Sequence, residues 1–306
     1  MLTFGAERGV LAERDDMPSL LAPAKLNLTL EILGRRDDGY HSLRSVMTPI
    51  GLYDEIALEP AGEGAFTCDD PELAADDNLV LRALRAGGVR SPFALHLRKN
   101  IPVGGGLGGG SSDAAAVLRA AMNGALGEAD CADWLAAARS LGSDVPFFLA
   151  GTAALVEGMG ERVTPLGALP PWWAVVVRPP SPVSTADAYR LVDRVRAEHP
   201  VQSRPRAASV SLAAVDALQR ADFAALEATL SNDFDEPVAA AYPDVARARA
   251  ALARAGAARP LLSGSGSCVF ALFENEAAAR ACREALDGDG VAAAFVCAFH
   301  HDAAWR

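Results

Sequence analysis

The sequence predicts a two-domain α+β protein: a mixed α/β N-terminal domain, then a C-terminal domain with a small antiparallel sheet covered by helices. Three observations carry that expectation. The 306 residues exceed what one hydrophobic core ordinarily serves. Alternating apolar residues dominate the start of the chain, and helix-like segments become frequent after it. The proline-flanked stretch "LPPWWAVVVRPPSPVST" then breaks the pattern and marks a boundary nearby. On this reading residues 1–20 are an N-terminal extension, 21–170 the first domain and 171–306 the second.

The first strand starts at Ala24, with Ala24, Leu26, Leu28, Leu30 and Ile32 on one face and Lys25, Asn27, Thr29 and Glu31 on the other. That alternation predicts a half-buried strand with a polar outer face. "GRRDDGYH" supplies an Asp-Gly turn, and "SLRSVMTPIGLYDEIALEP" continues as strand. After the polar loop "CDDPELAADDN", the segment "LVLRALRAGG" reads as a helix stopped by Gly87 and Gly88. Phe93, Leu95 and Leu97 alternate in a short strand that runs into "VGGGLGGGSSDAA". Ser112 or Asp113 is expected to cap the alanine-rich helix that follows. "CADWLAAARSLG" is a second helix closed by Gly142, and Asp144 is placed to cap a third at "VPFFLAG", with Pro146 in its first turn. Beyond the boundary come the helical segments "TADAYRLVDRVRAEH", "SLAAVDALQRADFAALEATL" and "YPDVARARAALARAGA". The strand "SCVFALF", the helix "NEAAARACREALD" and the strand "VAAAFVCAF" close the chain.

Composition narrows the function. With 28 Lys and Arg against 39 Asp and Glu, the net charge is -11, which argues against nucleic acid or an anionic membrane as partner. Any anionic ligand must be held by a local arrangement. The five cysteines are scattered without a Cys-x-x-Cys spacing, the pattern of unpaired thiols in a reducing compartment. The histidine spacing, including the pair His300 and His301, offers no zinc motif. No apolar run is long enough to span a bilayer, and the acidic opening lacks the features of a targeting peptide. A cytoplasmic location is therefore expected, with Met17 as an alternative natural start.

The glycine run is the strongest chemical signal. Six glycines in thirteen residues lie between a strand and a helix whose mouth carries Ser111, Ser112 and Asp113. Glycines let backbone amides point at a common centre, and a helix N-terminus adds partial positive charge, so phosphate is the natural guest. Gly104, Gly106 and Gly109 fit G-x-G-x-x-G as any glycine run does, and Gly110 stands where a Walker lysine is required. A dinucleotide-binding oxidoreductase also needs an acidic residue at the end of the next strand, whereas Glu128 follows a helix.

"NIPVGGGLGGGSSDAA" resembles the phosphate loop of the GHMP kinase superfamily. Three further stretches, "APAKLNLTLEILGRRDDGYHSLRS", "GSDVPFFLAG" and "LLSGSGSCVFALF", resemble the 4-diphosphocytidyl-2-C-methyl-D-erythritol kinases within it. The likeness runs in order from about Ala22 to about Phe273; the first 20 residues and the alanine-rich tail lie outside it. It implies a GHMP-kinase-like fold with an N-terminal ATP-binding domain, ATP as co-substrate and magnesium with it. The implied acceptor is the 2-hydroxyl of a cytidyl diphosphate alcohol, in non-mevalonate isoprenoid synthesis. Pro102, Val103, Gly104, Gly105, Gly106, Leu107, Gly108, Gly109, Gly110, Ser111 and Ser112 would hold ATP.

The resemblance also assigns Asp144 to accept or orient the hydroxyl proton, against its alternative as a helix cap, and places Lys25 beside it. Asn27 would bind the polyol, Tyr40 and His41 the cytosine, and Tyr189 the other side of the base, with Thr185 touching substrate. Gly264, Ser265 and Gly266 would offer amides to the substrate phosphates. No protein ligand for magnesium is assigned; Asp113 is near enough to be considered, but its capping role is preferred. A monomer or weak homodimer is expected. The competing functions are another GHMP kinase acting on homoserine, mevalonate or a sugar, the oxidoreductase, and a catalytically idle nucleotide-binding regulator.

Overall fold

The computed structural model describes residues 19–167, 169–198 and 208–299. The alternative start at Met17 and the His300–His301 pair lie outside the described residues, whereas Ser19 and Leu20, read as extension, already belong to a strand. The chain opens with β1 (Ser19–Arg35), β2 (His41–Pro60) and β3 (Ala65–Cys68), followed by α1 (Leu79–Ala86) and β4 (Phe93–Arg98). The glycine loop leads into α2 (Gly109–Met122), α3 (Trp134–Leu141) and α4 (Val145–Ala150), then β5 (Ala153–Gly158) and β6 (Arg162–Gly167). The second half runs β7 (Trp173–Arg178), α5 (Thr185–Glu198), α6 (Val210–Gln219), α7 (Phe223–Thr229) and β8 (Ser231–Asn232). It ends with α8 (Asp235–Ala241), α9 (Pro243–Arg254), β9 (Leu261–Leu262), β10 (Val269–Phe273), α10 (Glu276–Glu284) and β11 (Ala293–Ala298).

The first sheet has the path β3-β4-β2-β1-β8, with β5 and β6 joined to the first half of β2. β8 comes from the second half of the chain and pairs parallel to β1 at Thr29 and Leu30, so the chain returns to brace the strand that carries Lys25. The second sheet has the order β11-β7-β10-β9 and is antiparallel throughout. β10 and β11 flank β7, which makes the predicted strand-helix-strand ending a split unit around an earlier strand.

Three packed layers follow from these faces. α1, α2, α3 and α4 cover one side of the first sheet, and α2 is buried nearly all round because Ala114, Ala115, Ala116, Ala120 and Ala121 let it approach closely. Leu26 and Leu28 of β1 meet Val176, Phe270 and Trp172 in a core shared by both halves of the chain. Val175 and Val177, on the opposite face of β7, pack beneath α5, α9 and α10. The five cysteines are all free.

Two sequence expectations need correction. The polar face of β1 is buried, not half exposed: Lys25 is 3% exposed, Asn27 1%, Thr29 0% and Glu31 6%. Polar partners cover it, since Ser211 Oγ shares a 2.8 Å hydrogen bond with Thr29 and Ser209 Oγ donates to Glu31 at 2.6 Å. Burial alone would raise the Glu31 carboxyl, but the bonds from Ser209 and Ser211 bring it below its ordinary value. The second correction concerns α2. Its N-cap is Gly108, in the left-handed conformation and with no side-chain hydrogen bond, so Ser112 and Asp113 lie inside the helix and cap nothing. Glycine makes the left-handed entry free of strain, which starts the helix earlier than a serine or aspartate cap would.

Asn232 joins the two sheets: its Nδ2 donates to Leu262 O at 2.8 Å and Gly264 O at 2.7 Å, and its Oδ1 accepts from Phe234 N at 2.9 Å. Asn232→Leu keeps the volume and leaves these buried backbone groups unpaired. The expected cost is about 2 kcal/mol or more, read as a lower urea midpoint; an unchanged midpoint would show that the pairs contribute nothing net.

Candidate active site

The glycine loop is shaped by close backbone approach. Gly106 has φ +74°, and a Cβ there would lie 2.1 Å from the carbonyl oxygen of Ser263. Ser263 Oγ donates to Gly106 O at 3.1 Å, and Cys268 N donates to Gly105 O at 3.0 Å. On its other side the loop is tied to β1, where Lys25 N donates to Leu107 O at 3.0 Å. Gly104 also has positive φ, but a Cβ there would meet nothing within 4 Å. The loop ends at the uncapped start of α2, whose first amides have no acceptor within the helix. These amides and the helix dipole make an anion cradle.

Lys25 and Asp144 meet beside this cradle. Lys25 Nζ lies 4.0 Å from Asp144 Oδ2, with side-chain exposures of 4% and 27%. Asp144 occupies the N-cap position of α4 but makes no side-chain capping bond, contrary to the capping alternative. The reason is local: Asp144 has helical backbone angles (φ -89°, ψ -13°) and not the extended ones of a capping residue, and Pro146 at the second helical position has no amide to offer. The carboxylate therefore stays free for Lys25. Burial pulls the Lys25 ammonium below its ordinary value, and the charge of Asp144 partly restores it. Lys25 Nζ also donates to Asn27 Oδ1 through a short contact, and Asn27 Nδ2 donates to Ser45 Oγ at 2.8 Å. Ser45 Oγ in turn donates to Thr29 O at 2.5 Å, which fixes the orientation of the whole group.

At the far end, the His41 and Tyr189 rings stack with centroids 4.7 Å apart. His41 Nε2 pairs with Asp193 Oδ1 at 2.8 Å, and Tyr189 also meets Phe234 edge to face. One face of Tyr189 is thus taken by His41 and is not open to a base, which alters the expected sandwich. Tyr40, next in sequence to His41, is 66% exposed and available for stacking. Thr185 Oγ1 and Ser265 Oγ share a hydrogen bond of 2.9 Å that closes the rim.

A single cavity of about 1530 Å³ connects these parts. Its lining includes Lys25, Asn27, Tyr40, His41, Asp144, Thr185, Tyr189, Gly264, Ser265 and the loop from Pro102 to Ser111. Two expected residues are absent from that lining. Ser112 is fully buried inside α2, where its hydroxyl has no partner. Gly266 is buried against Leu262, and its amide is consumed by the turn, donating to Ser263 O at 2.9 Å. Sequence reading missed Ser45, Asp193, Lys99 and the cavity-facing Arg35, Arg139 and Arg190. Asp193 had a signal, because it lies four residues after Tyr189 and so shares its helix face. Ser45 had none, since it reaches Asn27 only through strand pairing.

Comparison with known proteins agrees with this architecture. Residues 78–152 match the GHMP kinases N terminal domain and residues 214–292 the GHMP kinases C terminal. The chain is 41% identical to the 4-diphosphocytidyl-2-C-methyl-D-erythritol kinase of Solidesulfovibrio magneticus, over 89% of this chain and 93% of that protein. It is 40% identical to the protein of the same name from Deinococcus radiodurans, over 87% of each. A crystal structure of 4-(cytidine 5'-diphospho)-2C-methyl-D-erythritol kinase superposes with TM-score 0.76 at 38% identity, covering 93% of this chain and all of that one. Mevalonate kinase from L. major, at 14% identity and TM-score 0.66 over 93% and 96% of the two chains, shares the fold.

The two glycines separate backbone strain from steric blockage. Gly104→Ala incurs only left-handed strain of about 1 kcal/mol and is expected to weaken ATP binding a few-fold. Gly106→Ala adds collision with Ser263 and should abolish detectable ATP binding in calorimetric titration. Equal affinities for the two variants would refute the close-approach account.

Proposed function

The chain belongs to the 4-diphosphocytidyl-2-C-methyl-D-erythritol kinase family, and on that premise we propose how its residues transfer the γ-phosphate of ATP to the tertiary 2-hydroxyl of the cytidyl alcohol. It is an ATP-dependent small-molecule kinase of non-mevalonate isoprenoid synthesis. The observation that carries the proposed mechanism is the Lys25–Asp144 pair, drawn from segments far apart in sequence and set beside the glycine cradle.

Phosphoryl transfer asks for a held γ-phosphate, offset charge and an aligned hydroxyl. The amides of the loop and of the first turn of α2 hold the phosphates. The 4.0 Å gap between Lys25 and Asp144 exceeds a hydrogen bond, so a hydroxyl about 2.8 Å from each fits at the apex of a triangle. Asp144 accepts the hydroxyl proton as the O–P bond forms and the bond to the ADP oxygen breaks. Lys25 offsets the charge that develops on the transferred group. Asn27, held by Ser45, orients the polyol.

Magnesium would enter with the nucleotide, bound mainly by phosphate oxygens and water, and would neutralise phosphate charge. Among the described residues no three His, Cys, Asp or Glu side chains form a metal cage, which suits an ion carried by its substrate. Tyr40 would stack on the cytosine and His41, oriented by Asp193, would hydrogen-bond its edge. The nucleoside end favours the cytidyl acceptor over homoserine, mevalonate or a sugar, none of which carries a base. The dinucleotide reading loses its support because the glycine loop opens onto three successive helices and not a β-α-β unit. No helix among the described residues is long and apolar enough to cross a membrane; a cytoplasmic monomer or weak homodimer, without nucleic acid, is the setting we assign.

Release of ADP from ATP, assayed with each acceptor in turn, tests the substrate. Turnover only with the cytidyl alcohol is expected; turnover with homoserine or mevalonate instead would overturn the assignment. Lys25→Met and Asp144→Asn should each lower kcat by roughly 10³-fold or more. Because the folded value of Lys25 lies below that of the unfolded chain, the unfolded state binds the extra proton between the two values. Protonated Lys25 therefore opposes folding at neutral pH, and this opposition fades as pH rises through that window. Lys25→Met should accordingly melt at or above the wild-type temperature at pH 7; a marked fall would show that Lys25 stabilises the fold.

A further inference from the structure

Beneath the phosphate cradle lies a group of buried charges that the proposed chemistry does not use. Lys99 Nζ contacts Asp113 Oδ2 at 2.8 Å and makes a short contact with Asp54 Oδ2; the side chains are 8%, 3% and 0% exposed. Taking three ionic groups from water costs several kcal/mol each unless their geometry is good. Here each charge has a specific neighbour, and each neighbour belongs to a different part of the loop.

Asp54, on β2, accepts through Oδ1 from the amides of Asn100 at 2.7 Å and Ile101 at 2.8 Å, the two residues at the entrance of the glycine loop. Asp113, on α2, stands at the exit. Lys99 bridges them, and its own amide is fixed by Asp69 Oδ1 at 2.9 Å and Oδ2 at 3.1 Å. A Cβ on Gly109, the first residue of α2, would sit 3.2 Å from both Asp54 Oδ2 and Lys99 Nζ, so the cluster lies directly under the helix start that faces the phosphates. Asp54 itself does not line the cavity.

We propose that Asp54, Lys99 and Asp113 form an ionic clamp that holds the entrance and exit of the phosphate loop at fixed separation and thereby sets the affinity for ATP. Asp54 is a positioning residue: it acts on the nucleotide through Lys99 and through the loop backbone. A cradle whose amides are already aligned avoids the ordering cost that a loose loop incurs on binding. Lys99 also balances the two carboxylates, so that they do not cancel the positive potential of the helix start. The environment of Asp113 fits this role. Burial raises its carboxyl, Lys99 opposes the rise and Asp54 adds to it, leaving it at about 7, and its Oδ1 has no partner. Its charge thus depends on Lys99.

The proposal rests on the loop being the phosphate cradle, and the test separates the two claims. The full chain is titrated calorimetrically with a non-hydrolysable ATP analogue, and KM is measured for ATP and for the cytidyl alcohol. Asp54→Asn keeps an oxygen for the Asn100 and Ile101 amides and removes the charge; it should weaken nucleotide binding about tenfold while the acceptor KM stays within about twofold. Lys99→Met should do the same, and the double variant should be no worse than either single, as members of one unit are. Asp113→Asn carries the test if Asp54→Asn yields no folded protein. Unchanged nucleotide affinity in these variants, parallel loss for both substrates, or loss of the native fold in all of them overturns the clamp. Failure of the wild-type chain to bind the analogue overturns the cradle as well.

Discussion

Contact between two glycine-rich backbones, Gly105 and Gly106 on one side and Ser263 to Cys268 on the other, is the constraint on which the site depends. Only residues without a side chain tolerate that approach. It makes one wall from a loop of the first sheet and a turn of the second, and the Lys25 amide fastens the same loop to β1. Lys25 and Asn27 of β1 then become neighbours of Gly264, in the turn between β9 and β10; a Cβ at Gly264 would lie 3.0 Å from Lys25 Nζ. The shared core of Leu26, Leu28, Val176 and Phe270 holds the two sheets in that relation.

Within this frame the electrostatics are local. A chain of net charge -11 must gather a polyanionic nucleotide and a diphosphate, which its overall field repels. In the mechanism we propose, the attraction comes from amides at a helix start, from the buried Lys25 and from the arginines that line the cavity. Lys25 is held in a state unfavourable for folding, with Asp144 beyond hydrogen-bond distance. Such strain at an active site is the usual exchange between stability and activity.

Much of this was legible in the sequence because its signals are local. The glycine run between strand and helix announces itself within a few residues, whereas Lys25 and Asp144 read on their own as a solvated strand lysine and a helix cap, and only the family resemblance singles them out. What could not be read depended on the fold. The polar face of β1 looks like a solvated strand face, yet Ser209 and Ser211, from a distant helix start, cover it. Ser112 and Asp113 look like caps, but Gly108 takes the cap and turns them inward. Gly266 resembles its neighbours in "SGSGS", and only the turn geometry shows that its amide is used. Asp54 and Lys99 stand 45 residues apart in sequence, and no spacing rule links them.

A crystal structure with a non-hydrolysable ATP analogue and the cytidyl alcohol bound together is the most direct measurement. The account places the γ-phosphate at the amides that open α2 and the acceptor 2-hydroxyl within hydrogen-bond reach of both Lys25 and Asp144, about 3 to 3.5 Å from the phosphorus and in line with it. A γ-phosphate bound away from the glycine loop, or an acceptor hydroxyl remote from that pair, would contradict it.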